Sequence, residues 1–140
     1  MPEFREEAGL DVGATLAKAV VVPKGGSADS LDKLQTYIGP SADLSLLAAF
    51  MASHPAASIA ATGAGAGRLA NALKDHGPIA ITDEFEAWGE GERVLLARAD
   101  FVPTTPHLLV SLGTGTSILR VGQEGRVARE IGRASCRERV

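Results

Sequence analysis

The sequence predicts an α/β fold in which strands and helices alternate along the chain. Three observations support this class: short runs dense in Val and other apolar residues, segments with the apolar spacing of helices, and glycine-rich turns between them. In order, the predicted elements are β-β-β-α-β-α-β-α, followed by a strand, a turn and a strand. The chain has 140 residues, 45% of them hydrophobic, which suits one domain with a buried core.

Each element of the first half follows from a local pattern. The predicted elements are strands 8–12, 17–23 and 33–38, a loop over 24–30, and a helix that begins after Pro40. The loop is predicted from its Gly, Ser and Asp residues, and Ser41 is the expected N-cap of the helix. Leu44, Leu47, Ala48 and Met51 have the i, i+3, i+4, i+7 spacing of one apolar helical face.

The second half continues the alternation. Its predicted elements are strand 57–61, helix 66–75, strand 78–81, helix 84–98, a linker over 99–106, and strands 108–112 and 117–121. The helix over 84–98 begins with several Glu residues, which suit the positive N-terminal end of a helix. No short-period repeat is present, but a strand-turn-strand unit at the start of the chain recurs near its end.

Composition and charge exclude several classes of partner and location. The net charge is −3, and no basic patch with interleaved aromatic residues is present, so we expect no binding to nucleic acid. The N-terminal stretch MPEFREEAG has no apolar core of a signal peptide. No apolar run reaches the roughly 18 residues of a membrane span. We therefore expect a cytoplasmic protein without a membrane partner.

The last eleven residues, EIGRASCRERV, are unusual in origin. Their codons can spell a common sequencing-adapter sequence, so we expect residues 130–140 to be a translated adapter and the chain to be truncated after Arg129. The one cysteine of the chain, Cys136, lies in this stretch and is expected to carry no redox or catalytic role. The alternative is an ordinary basic tail.

The stretch GLDVGATLAK, residues 9–18, has the parts of a phosphate-binding turn. Glycines let backbone N–H groups approach phosphate oxygens, Lys18 adds a positive charge, and Asp11 can hold Mg²⁺ through water. The alternative is a tight hairpin in which Asp and Gly only satisfy the turn geometry.

Two other glycine-rich stretches differ in what they indicate. Gly113–Ser117, GTGTS, resembles the first turn but carries no charge, and the pair of turns favours a nucleotide site more than either turn alone. The stretch TGAGAG, residues 62–67, lacks the glycine spacing of a dinucleotide fingerprint, and no P-loop motif is present. It is better explained as a strand-to-helix turn lining a cleft.

Carboxylates cluster just after the predicted strand 78–81, in TDEFEAWGEG. The residues alone rank Asp83, Glu84 and Glu86 equally as groups that accept a proton from a substrate hydroxyl. For Glu86, Glu90 and Glu92 a solvated helix face is favoured, and Phe85 and Trp88 are expected in a core. The histidines lack metal-ligand spacing and are expected on the surface or in loops; they are His54, His76 and His107.

Five stretches, in the order in which they occur, resemble the type II pantothenate kinases. They are GLDVGATLAK, TGAGAG, DEFEAWGEG, VSLGTGTSI and Gly125-Arg126-Val127. The resemblance covers about residues 8–129. It implies two ribonuclease-H-like lobes that hold ATP between them, here residues 1–106 as the first lobe and 107–129 as the start of a second, missing lobe. It also implies ATP-dependent phosphorylation of pantothenate to 4'-phosphopantothenate, the first step of coenzyme A biosynthesis, with Mg²⁺ and a homodimeric intact protein.

The resemblance also assigns roles to individual residues. Glu84 matches the catalytic glutamate, Ser117 and Arg126 match positions on the pantothenate side, and Asp11 lies near the metal. The ATP phosphates are expected to contact Asp11, Val12, Gly13, Ala14, Thr15, Leu16, Ala17 and Lys18 in the first turn, and Gly113, Thr114 and Gly115 in the second.

The sequence departs from the family at two points and leaves rival functions open. Ala14 replaces the second glycine of the usual D-x-G-G-T, and the T-x-x-G-G-G segment expected after Arg126-Val127 is not present. The rivals are an N-acetylglucosamine kinase, an ATPase that activates a dehydratase, and a non-catalytic lobe. The activator would normally carry cysteines for an iron–sulfur cluster, and the segment before residue 130 has none.

Overall fold

A computed structural model describes residues 6–23, 33–55, 57–122 and 126–135. The chain divides into two compact units, Met1–Thr82 and Asp83–Val140. The predicted loop over 24–30 and Cys136 lie outside the described residues. The lobe boundary after residue 106 stays a prediction.

The first unit is built on a five-stranded mixed sheet. Its strands are β1 (Glu6–Val12), β2 (Leu16–Pro23), β3 (Gln35–Pro40), β4 (Ala57–Thr62) and β5 (Ile79–Ile81). Their order across the sheet is β3-β2-β1-β4-β5, with β1, β2 and β3 antiparallel and β1, β4 and β5 parallel. All five predicted strands are confirmed, and this order and direction are those of a ribonuclease-H-like lobe.

Alternation along the strands places one set of side chains in the core. The buried strand residues include Ala8, Leu10, Val12, Ala17, Ala19 and Val21. They pack with Leu47 and Met51 of helix α1 (Ser45–Ala52) and with Leu69 of the short helix α2 (Leu69–Ala72). The predicted apolar face of α1 is confirmed, because Leu44 and Ala48 also pack against this core.

Helix α1 begins three residues later than the sequence predicts, because its N-cap position is Leu44 and not Ser41. Leu44 precedes the helix without a side-chain cap, and Asp43 Oδ1 accepts from the backbone N–H of Ser45. Ser41 is instead 1% exposed and donates to the carbonyl oxygen of Ala14 at 2.9 Å. Its hydroxyl serves a contact distant in sequence, which a local capping rule does not detect.

The predicted helix over 66–75 is broken into short pieces. A 3-10 turn over Ala66–Arg68 leads into α2, and a second 3-10 turn follows over Lys74–His76. Gly77, with a φ of +81°, ends the segment. Leu69 and Leu73 are buried, so packing against the core fixes this segment even though its helical run is short.

The second unit contains one long helix and a three-stranded antiparallel sheet. Helix α3 (Glu84–Arg98) has the predicted bounds, and the strands are β6 (His107–Leu112), β7 (Gly115–Val121) and β8 (Val127–Ser135), in the order β6-β7-β8. Residues 99–106 contain no helix or strand. Strand β8 extends through residues 130–135, whose adapter origin stays a prediction.

Helix α3 is too polar to cross a membrane, and no other helix in the described ranges has the length and apolar character of a span.

Candidate functional site

The turn between β1 and β2 carries the first predicted phosphate site. Asp11 pairs with Lys18 across the two strands, and Lys18 Nζ lies 3.2 Å from Asp11 Oδ2. The N–H of Gly13 donates to the carbonyl oxygen of Leu16 at 2.9 Å and closes the turn. Both charged side chains remain partly exposed, so they are accessible to a ligand.

Burial separates the residues of this turn into two groups. The side chains of Val12 and Ala17 are fully buried in the core, so only their backbone atoms are available to a ligand. Ala14, Thr15 and Leu16 are exposed. The turn thus offers backbone groups and a Thr hydroxyl on its outer side, while its base is anchored by apolar packing.

Ser41 fixes the turn through carbonyl oxygens. Its hydroxyl donates to Ala14 O and its N–H donates to Thr15 O, each at 2.9 Å. These contacts engage the carbonyl oxygens of Ala14 and Thr15 and so fix the orientation of the peptide groups of these exposed residues. A turn held in this way has less freedom to reorganise when a ligand binds.

The TGAGAG stretch is the strand-to-helix turn that the sequence predicts, and it packs against the first turn. Thr62 lies in register with Asp11 on parallel strands, and the N–H of Gly65 donates to Val12 O at 2.8 Å. Gly63 has a φ of +91°, and a Cβ there would lie 2.7 Å from Asp11 Oδ1. Glycine at position 63 therefore allows this turn to approach Asp11 and Val12 more closely than any side chain would permit.

The three carboxylates at the start of α3 have different environments. Asp83 is the N-cap, and its Oδ1 accepts from the N–H groups of Phe85 and Glu86 at 2.9 and 3.2 Å. Glu86 is exposed, whereas Glu84 is half-buried at the first position of the helix. The capping role of Asp83 distinguishes it from Glu84. The sequence alone did not separate these two residues.

The second glycine-rich turn joins β6 and β7. The N–H of Gly113 donates to Gly115 O at 2.9 Å, and Gly113 and Thr114 are exposed. Ser117 is half-buried and lies opposite Ser111. Arg126 is exposed, and its carbonyl oxygen accepts from the N–H of Gly122 at 2.9 Å.

The predicted site residues therefore fall in both units. Asp11 to Lys18 lie in the first unit, and Glu84, the turn over 113–115, Ser117 and Arg126 lie in the second. Within the first unit, the structure brings the Asp11–Lys18 pair together with the glycine turn over 63–65. Nowhere in the described ranges do three or more His, Cys, Asp or Glu side chains form a metal-binding group.

Two histidines have environments that the sequence did not predict. His54 lies in the loop between α1 and β4, as the sequence allows. Its side chain is only 4% exposed, so it is not a surface residue, and its Nδ1 lies 3.1 Å from Glu6 Oε2. His107 begins a strand and is half-buried, with Nε2 2.7 Å from Glu92 Oε1. The partners are 48 and 15 residues apart, so no local pattern signals these pairs.

The other acidic and aromatic residues of α3 fit the prediction in part. Glu92 is only 15% exposed, so its predicted solvated environment is wrong, whereas Glu90 is exposed as expected. A hydrogen bond from Arg93 lowers the pKa of Glu90. The rings of Phe85 and Trp88 are half-buried and lie edge to face with centroids 5.6 Å apart, as expected of packing residues.

No protein-family model and no curated protein matches the chain. Among solved structures, the chain is similar to an inorganic polyphosphate/ATP-glucomannokinase from Arthrobacter sp. strain KM, with a TM-score of 0.53 and 17% identity over 90% of this chain and 61% of that one. It is also similar to the Aquifex aeolicus Ppx/GppA phosphatase, with a TM-score of 0.52 and 12% identity over 89% of this chain and 50% of that one.

The chain thus spans about half the length of that phosphatase and 61% of the length of that kinase. At these identities the similarity concerns the fold. Together with the five-stranded sheet of the first unit and its strand order, it shows that the chain has an α/β fold with a ribonuclease-H-like lobe.

Proposed function

We propose that this chain is the first lobe, with the start of the second, of a kinase that transfers phosphate from ATP to pantothenate. The observation that carries the proposal is the β1–β2 turn, where the Asp11–Lys18 pair adjoins exposed backbone fixed by Ser41. Two proteins of known structure with a similar fold, a polyphosphate/ATP-glucomannokinase and a Ppx/GppA phosphatase, support phosphoryl chemistry. The choice of pantothenate rests on the sequence resemblance.

Phosphate binding in this proposal uses the first turn. The exposed backbone at Ala14 and Thr15 donates to phosphate oxygens, and Lys18 leaves Asp11 to neutralise the phosphate charge. Because the surface pair of Asp11 and Lys18 contributes only about 0–1 kcal/mol, exchanging it for a phosphate contact costs little. The second turn over 113–115 contributes further backbone donors.

The residues around Asp11 fit a hydrated Mg²⁺. One carboxylate oxygen, Oδ2, contacts Lys18, and no side chain at position 63 covers the other, Oδ1. Mg²⁺ retains water and usually takes one or two carboxylates plus phosphates, which suits a single Asp. When bound, the ion supplies charge neutralisation to the phosphates.

Glu84 is the proposed group that orients the pantothenate hydroxyl and accepts its proton. Its half-buried position at the first residue of α3 places it on a rigid element, while the neighbouring Asp83 is committed to the helix cap. Arg126 is proposed to pair with the pantothenate carboxylate, and Ser117 to contact the same substrate. Homodimer formation and a cytoplasmic location remain predictions of the resemblance and the composition.

Calorimetric titration with Mg-ATP tests the phosphate site. We expect saturable binding by the full-length protein that carries both lobes, and Lys18→Gln to weaken it about tenfold, since a hydrogen bond to a charged group contributes roughly 1.5–3 kcal/mol. Lys74→Gln removes the same charge from an exposed lysine of the 3-10 turn and is the matched control. Absence of binding, or an equal effect of both variants, would exclude the first turn as the phosphate site.

A sugar kinase is the second candidate, because one structure with this fold is named a glucomannokinase. Competition in the phosphorylation assay separates the two acceptors. Phosphorylation of glucose, mannose or N-acetylglucosamine in preference to pantothenate would favour the sugar kinase. A chain that binds Mg-ATP but phosphorylates none of these acceptors would be a non-catalytic lobe.

A further inference from the structure

A cavity of about 370 Å³ lies within the second unit, walled by α3, the segment 101–103 and the outer ends of β6 and β7. This volume is in the range of small-molecule sites, about 300–1,000 Å³. Most of its wall is apolar, formed by Gly89, Leu96, Ala97, Phe101, Val102 and Val121. None of the residues that line it belongs to the two phosphate turns or is Glu84, so the cavity is separate from the proposed kinase site.

The polar part of the wall is formed by Glu92, Arg93 and His107. Arg93 is already engaged, because its Nε donates to Glu90 Oε2 at 2.9 Å and its Nη2 contacts Glu90 Oε1. His107 Nε2 lies 2.7 Å from Glu92 Oε1, and the two side chains are 28% and 15% exposed. The histidine contact fixes the orientation of the Glu92 carboxylate at the cavity wall.

Glu92 has acceptor capacity beyond its contact with His107. An ionised carboxylate offers about four acceptor positions, and His107 uses one of them. A ligand that enters the cavity therefore meets an oriented anion surrounded by apolar groups. An ammonium group both donates hydrogen bonds to this carboxylate and compensates its charge, whereas a ligand carboxylate would face repulsion from Glu92.

We propose that this cavity binds a small organic amine. The apolar body of the amine packs against Leu96, Val102 and Val121, and its ammonium group donates to Glu92. Arg93 is the cationic group that could instead attract an anion, but its guanidinium already contacts the carboxylate of Glu90. The proposal does not depend on the kinase function, because no residue is shared between the two sites.

NMR titration of the ¹⁵N-labelled chain with phenethylamine tests this proposal. Phenethyl alcohol and phenylpropanoate serve as neutral and anionic probes of similar shape. We expect saturable shifts of the Leu96, Val102 and Val121 amides, with phenethylamine binding about tenfold more tightly than the alcohol, as a charged hydrogen bond implies, and phenylpropanoate weakest. Equal or tighter binding of phenylpropanoate, or no shifts with phenethylamine, would overturn the proposal.

Variants locate the binding site and identify the group that selects the amine. Glu92→Gln should abolish the preference for the amine over the alcohol, whereas Glu86→Gln, which removes the same charge from an exposed position of α3, should leave it unchanged. Ala97→Phe fills the cavity from an exposed position and should block all three probes, which provides a second test if Glu92→Gln does not fold. Amine binding that survives Ala97→Phe, or responds equally to both Glu variants, would place the site elsewhere.

Discussion

The buried hydroxyl of Ser41 donates a hydrogen bond of 2.9 Å to the carbonyl oxygen of Ala14, which ties the end of β3 to the turn between β1 and β2. The backbone N–H of Ser41 makes a second such bond to Thr15. Three strands thus contribute to the geometry of one exposed turn. In our proposal, the first phosphate site depends on this support as well as on its own glycine.

Ser41→Ala should lower the free energy of unfolding by about 1 kcal/mol, the usual net contribution of one hydrogen bond, and should also weaken Mg-ATP binding. Chemical denaturation and calorimetry measure the two effects. Ser53→Ala is the matched control, because Ser53 also donates to a backbone carbonyl but is exposed. Unchanged ATP affinity in Ser41→Ala would show that the turn does not need this support.

Gly63→Ala should destabilise the first unit by roughly 2 kcal/mol or more, because alanine is strained at a positive φ. Its Cβ would also lie 2.5 Å from Val12 O. At Gly67, by contrast, a Cβ meets nothing within 4 Å, so Gly67→Ala should leave stability unchanged or slightly raised. Denaturant unfolding of both variants measures the difference, and equal midpoints would contradict the described turn.

Asp83→Ala should reduce stability by about 1 kcal/mol, since it removes the cap from two N–H groups at the start of α3. Asp83→Ser retains an acceptor and should recover most of this loss. If the alanine variant is as stable as the unchanged chain in thermal unfolding, Asp83 does not act as a cap, and it returns as a candidate proton acceptor beside Glu84.

The pKa of Glu90 lies below 4.5, its ordinary value, because of its hydrogen bond with Arg93. A carboxylate whose pKa is lowered in the folded state stabilises the fold at pH values above its ordinary pKa. This stabilisation is lost as the pH falls through the lowered pKa. Arg93→Gln should therefore return the titration of Glu90 to its ordinary range. Carboxyl-carbon NMR measures this directly, and an unchanged Glu90 titration would contradict the pair.

The strands and the long helix were predictable because their signals are local. Dense Val content marks β2, and the acidic start of α3 suits the positive end of a helix, which Asp83 caps in the structure. The break in the segment 66–76 was not predictable, because buried Leu69 and Leu73 hold it in place through contacts with distant strands. The same reason applies to Ser41, whose partner lies 27 residues away.

The candidate site was predictable where glycines and charges are adjacent in sequence, as in the turn over 11–18. The environment of a single ionisable group was not predictable from the sequence. His54 reaches Glu6 and His107 reaches Glu92 only because the fold brings separate elements together, and the resulting burial is invisible in composition. The choice of Glu84 over its neighbours came from the resemblance. The cap formed by Asp83 adds a physical reason to prefer Glu84 to Asp83.

Transfer of phosphate from Mg-ATP to pantothenate by the full-length protein that carries both lobes, followed by mass spectrometry with and without Glu84→Gln, tests the central claim most directly. The account predicts 4'-phosphopantothenate as the product, and a loss of roughly a hundredfold or more in turnover for Glu84→Gln, with Mg-ATP affinity within about twofold of the unchanged chain because Glu84 is not assigned to ATP. Turnover of Glu84→Gln near that of the unchanged chain, or phosphorylation of a sugar in place of pantothenate, would contradict it.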